Sequence, residues 1–266
     1  MFVVGIARLA GALQDELTAL AADLGMTAYD ARMLLAPGIP ALVLVTPDKS
    51  RALGLLGSLR ARGHDALAFD TQAVVSSQTM ISPRQLAVRT DRFEVSLPEP
   101  AQLVFSDILA LLRGTHETRV DATVATTKRK FSAGRAALTG GLVMTKKETL
   151  SSSSHVYDKQ EVLYIYLRSG NRPWLLRESG TRYDGLGDRM APTERANFLT
   201  VVDILRQGAP QAVYDESLIG RKIPERLTQI AFQGMGSGST RVESTTDAAM
   251  DLLCHFVAMW HAKQQA

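Results

Sequence analysis

The period of apolar positions changes along the chain, and each change predicts an element. Phe2 to Ala7 is a short β-rich run. Leu13, Leu17, Leu20 and Leu24 then recur at helical spacing, and Gly25 stops that helix. Thr27 caps a second helix through about Leu35, which Pro37-Gly38 breaks. Ala41-Leu42-Val43-Leu44-Val45 reads as a buried strand. Asp48 or Ser50 caps a third helix carrying Leu53, Leu56 and Leu59 and ended by Gly63. Ala66-Leu67-Ala68-Phe69 is the last strand of the region. The predicted order, β-α-α-β-α-β over residues 1–70, is a small α/β domain with its helices on one face of the sheet.

Residues 71–82, TQAVVSSQTMIS, have no clear period and are expected to be a linker. From Pro83 the pattern is that of strands. Leu86–Val88 and Phe93–Leu97 flank a turn at Asp91, and Val104–Ile108 leads into an apolar stretch ending at Leu112. Val120–Thr127, Val162–Leu167 and Trp174–Leu176 follow, the last two joined by a turn at Gly170-Asn171. A helix from about Thr193 to Gln207 is capped by Thr193 and ended by Gly208-Ala209-Pro210. Phe198, Val201, Val202 and Leu205 form its apolar stripe. A β-domain is thus expected over 83–232, with an insertion at 128–155, followed by a Gly/Ser linker at 233–245. A C-terminal amphipathic helix over 246–263 carries Met250, Leu253, Val257 and Trp260, widened by Phe256. The fold class is α+β.

The passages MTAYDARMLLAPGIPALVLV and SRALGLLGSLRARGH give the first region a resemblance to the C-terminal domain of the bacterial ribosomal stalk protein, a ferredoxin-like α/β unit. That family binds translation factors through lysines on its first helix. The corresponding helix here has Asp15, Glu16 and Asp23 and no lysine. The resemblance therefore implies a small scaffold and not factor binding. The passages VFSDILALLRG, EVLYIYLRSGNRPWLL and ANFLTVVDILRQGAP make residues 80–212 resemble the pleckstrin-homology-like superfold. Its members bind phosphoinositides, peptides or proteins, so the resemblance implies a mainly antiparallel β-domain closed by one helix and a binding role.

Charge changes the picture more than composition does. The net charge of 266 residues is only +3, but KRKFSAGRAALTGGLVMTKK holds Lys128, Arg129, Lys130, Arg135, Lys146 and Lys147. No acid occurs from Ala122 through Lys147. Such a run makes a local positive field. Its shape is open between a kinked hairpin and a short helix at Gly134–Leu138.

Other chemistry finds no matching pattern. Gly234-Met235-Gly236-Ser237-Gly238 lacks the βαβ context and the Lys-Ser/Thr of phosphate loops. Cys254, His255 and His261 do not share the i, i+4 spacing of helical metal ligands, and no nucleophile elbow is present. Asp184 and Asp188 lack an acid-base partner visible in sequence. The lone Cys254 fits a reducing compartment, and no run is long and apolar enough to span a bilayer.

The expectation is a non-enzymatic cytoplasmic adapter without a cofactor, binding an acidic protein partner through the six cations. Leu253, Val257 and Trp260 are its apolar anchors if the last helix docks in trans rather than in cis. Peripheral binding to anionic membranes is the second reading, and an enzyme of a class not evident in the sequence the third. Nucleic acid ranks below these, because the cations are not interleaved with exposed aromatics.

Overall fold

The computed structural model describes residues 1–97, 99–131, 145–223, 229–234 and 240–265. It is a mixed α+β chain, with five α-helices and three sheets among the described residues. Here, too, no helix is long and apolar enough to cross a membrane.

The first region follows the predicted order: β1 (Phe2–Arg8), α1 (Leu13–Leu24), α2 (Ala28–Leu35), β2 (Ala41–Thr46), α3 (Lys49–Ala61) and β3 (Asp65–Asp70). β1 is central, antiparallel to both neighbours. Local chemistry sets the helix ends. Gly25 closes α1 with φ 68°. Thr27 Oγ1 accepts from Asp30 N at 3.1 Å while the Asp30 carboxylate accepts from Thr27 N at 3.4 Å. Thr27→Ala is expected to cost about 1 kcal/mol, read as a lowered midpoint in chemical denaturation. Asp48, not Ser50, caps α3, accepting from Ser50 N and Arg51 N. The α3 stripe differs from expectation: Ala52, Leu55 and Leu59 are buried, Leu56 is half-buried and Leu53 is exposed. Apolar residues occur all round this helix, so spacing alone did not select the face.

A second sheet has the order β10-β4-β5-β6, from β4 (Gln85–Val88), β5 (Arg92–Leu97), β6 (Ala101–Val104) and β10 (Arg182–Gly185), with β10 parallel to β4. The third has the order β12-β13-β7-β8-β9, from β7 (Ile108–Phe131), β8 (Thr145–Leu167), β9 (Trp174–Arg177), β12 (Gln229–Gly234) and β13 (Thr240–Thr245). β11 (Val213–Leu218) runs parallel to β7. Helix α4 (Glu194–Gly208) has the predicted cap, Thr193 Oγ1 accepting from Ala196 N, and buries the predicted stripe. α5 (Asp247–Gln265) ends the chain.

Two compact units result, and they are not the sequence-based partition. One comprises Met1–His116, Gln160–Thr228 and Thr246–Ala266; the other, Glu117–Lys159 and Gln229–Thr245. In the first unit β1 is covered on both faces. Val4 and Ile6 join the helices α1 to α3, whereas Val3 and Ala7 join Phe69, Leu112, Tyr164, Phe256 and Val257. The first region and the central strands therefore share one core. The predicted linker 71–82 is part of it: Met80 is buried, Ser77 N donates to Asp251 at 2.8 Å, and Ile81 N donates to Pro173 O at 3.0 Å. Part of the predicted Gly/Ser linker is also structured, because the β-branched residues of Thr240–Thr245 form β13.

Candidate binding interface

The second unit is a β-ribbon. Thr240 to Thr245 of β13 pair antiparallel with Thr123 to Thr118 of β7, and β12 pairs with β13 along its length. At this end of the ribbon the charges answer one another. Lys159 lies 3.2 Å from Glu117, and Asp121 lies 3.0 Å from Arg119 and 2.7 Å from His155. The hydrogen bond from His155, with Arg119 beside it, holds the Asp121 carboxyl below the usual carboxylate range.

β7 continues beyond Thr123 to Lys128-Arg129-Lys130-Phe131, and β8 begins at Thr145-Lys146-Lys147. Because β7 and β8 are neighbours, five of the six predicted cations fall at the same end of one strand pair. From Thr118 to Phe131 an extended strand covers about 43 Å. Paired acids and cations thus stand at one end of the ribbon; at the other, five cations stand with one acid, Glu148, which follows Lys147 on β8. Arg135, together with the Gly134–Leu138 question, lies outside the described residues.

Leu253, Val257 and Trp260 belong to the first unit, whereas the five cations belong to the second. Leu253 and Val257 are 4% and 1% exposed, inside the core with Val3, Phe69 and Tyr164. α5 packs in cis, which removes both as anchors for a partner. Trp260 is half-buried at the margin of that core. Gly5 explains the fit: a Cβ there would stand 2.7 Å from the Phe256 ring, so glycine lets α5 settle on β1.

The same core holds a polar chain not evident from sequence. Tyr164 Oη donates to Asp251 Oδ1 at 2.7 Å, and His116 Nε2 lies 2.7 Å from Tyr164 Oη. With the tyrosine proton directed to Asp251, Nε2 carries the imidazole proton. The bare Nδ1 then faces Arg177 Nη1 at 3.4 Å, with Asp247 Oδ1 3.2 Å away. Burial pushes Asp251 up, against the Ser77 amide and the Tyr164 hydroxyl that pull it down. Burial also lowers His116 to about 4, partly offset by Asp247. Tyr164, His116 and Asp251 are all under 4% exposed, so the chain is closed to solvent and orders the core. One clue to it was legible: Asp247 and Asp251 stand i, i+4 on the C-terminal amphipathic helix.

A second network ties β7, β8, α4 and β11. Glu161 accepts from Arg113, and from Arg195 Nη2 at 2.6 Å; Arg113 also donates to Tyr214 Oη at 3.0 Å. Arg206 lies over the Tyr214 ring, 4.1 Å from its centroid. Its charges are internally matched. No protein-family model matches this chain, and no curated protein or solved structure does either.

Proposed function

We propose that the chain is a binding protein whose β-ribbon presents Lys128, Arg129, Lys130, Lys146 and Lys147 to an acidic protein partner. The observation that supports this reading is the excess of positive charge at one end of the ribbon, five cations to the single acid Glu148. The strand pair β7–β8 assembles cations from both sides of the chain's acid-free stretch at one end. Such an end steers an acidic surface and fixes its orientation more than it adds raw affinity. The first unit supplies the folded body: its ionic network Arg113–Glu161–Arg195 is satisfied internally.

The test is capture from a native lysate by the full chain and by the triple variant K128E/R129E/K130E, each across a salt series. A stoichiometric acidic partner is expected with the parent. Charge reversal is expected to weaken its retention about tenfold or more and to flatten the salt dependence. Retention equal in both proteins and insensitive to salt would defeat the proposal. Cosedimentation of the parent with anionic but not neutral vesicles, with no protein partner, would transfer the same cations to a membrane role.

A further inference from the structure

The strand that brings Lys146 and Lys147 to the ribbon end also carries a long open edge. β8 pairs with β7 on one side; on the other, β9 covers it only from Val162 to Ile165. Among the described residues no strand covers the outer edge from Thr145 to Lys159. Every residue from Ser152 to Lys159 is exposed, Val156 by 57% and Tyr157 by 61%. An uncovered edge is a row of unpaired N–H and C=O groups, which folded proteins normally blunt with proline, a bulge or a short strand. Thr145–Lys159 contains neither proline nor glycine.

We infer that this edge is the dimer interface of the chain, β8 pairing antiparallel with β8 of a second copy about a two-fold axis at Ser152. The argument for a second copy is charge complementarity. Residues opposed in an antiparallel pair share a face. A two-fold axis normal to the sheet preserves the faces, so only positions separated by an even number can oppose. Complete overlap of the open edge sets Thr145 opposite Lys159 and centres on Ser152. In that register the Lys146 position opposes Asp158 at both ends of the ladder. Sliding one allowed step outward opposes Lys147 to Lys159 and Glu148 to Asp158, two like-charge contacts repeated by symmetry. Sliding the other way shortens the ladder and sets Lys146 against Val156. The serine run Ser151–Ser154 does not select a register, because a small polar strand accepts slippage; the charged positions select it. The dimer sets the two basic ends facing opposite ways, their Lys146 positions about 40 Å apart along the strands. It thereby converts one cationic end into a bivalent binder.

The experiment is sedimentation equilibrium of the full chain at micromolar concentrations. Twice the chain mass of 28.9 kDa is the expected result, and a monomer throughout overturns the inference. Asp158→Lys and Lys146→Asp should each weaken the dimer about tenfold, and the double variant K146D/D158K should restore it. Failure of that rescue overturns the register and the inference with it. Neighbouring residues point their N–H groups to opposite edges, so one of Ser152→Pro and Ser153→Pro removes an outward donor. That variant should be monomeric with an unchanged far-UV CD spectrum. A dimer that survives both prolines overturns the edge assignment.

Discussion

Phe256→Ala is expected to lower the stability of the chain by about 3–5 kcal/mol, one of the two largest effects predicted for it. The ring is fully buried, stacks on Phe69 with centroids 6.5 Å apart, and fills the space that Gly5 leaves on β1. Truncation leaves a cavity among Val3, Phe69, Leu253 and Val257 that their packed neighbours cannot close. The contact is checked by a double-mutant cycle in urea. Gly5→Ala alone is destabilising, because its Cβ meets Phe256 Cε2 at 2.7 Å. In the Phe256→Ala background those ring atoms are gone, and the added methyl enters the cavity, so the penalty of Gly5→Ala should vanish or reverse. Additive effects would show that α5 does not rest on β1. A cost under about 1 kcal/mol for Phe256→Ala would show that α5 is peripheral and free to serve a partner.

The same contact shows what the sequence made legible. Wherever one short-range signal decides, the reading agrees with the structure. Gly25 ends α1, Thr27 and Thr193 cap α2 and α4, and Phe198, Val201, Val202 and Leu205 face inward. Where two faces compete, as on α3, spacing chose Leu53 and the core took Ala52 and Leu55. The C-terminal stripe was visible, but its surroundings were not: glycine at position 5 carries no sign of the helix that needs it. The basic run was legible as charge and not as geometry. Val120–Thr127 reads as a strand and lies in β7; ladder hydrogen bonds rather than an apolar alternation organise Thr145–His155, so the serine run there read as loop. The buried polar chain had no local signature beyond Asp247 and Asp251 at i, i+4, because its members lie far apart in sequence. Tyr164 meets Asp251 across 87 positions and Ser77 meets Asp251 across 174.

That chain carries the second large effect. Acidification from pH 7 to pH 4 is expected to remove about 3 kcal/mol of stability through His116 alone. Burial holds its folded pKa at about 4, with Arg177 acting in the same direction and Asp247 against it; the ordinary value is 6.5. As pH falls through 6.5 the unfolded chain takes up the proton first, and the native imidazole stays neutral against Tyr164. Each pH unit between the two values therefore costs about 1.4 kcal/mol, and the loss ends once the native ring is also protonated. Asp251 opposes this. Its folded pKa is raised by burial, so its contribution is present at low pH and lost as pH rises through that pKa. His255 is lowered by burial and acts in the same direction as His116. The parent protein alone therefore mixes several titrations, and the informative quantity is its difference from His116→Gln. The glutamine amide can still donate to Tyr164 but binds no proton. Urea unfolding at intervals from pH 7 to pH 4 should show the two proteins converging as pH falls, with the variant's curve the flatter. Parallel curves would mean that His116 titrates alike in the folded and unfolded chain. That would require solvent to reach the Tyr164–Asp251 pair, which the packing around α5 excludes.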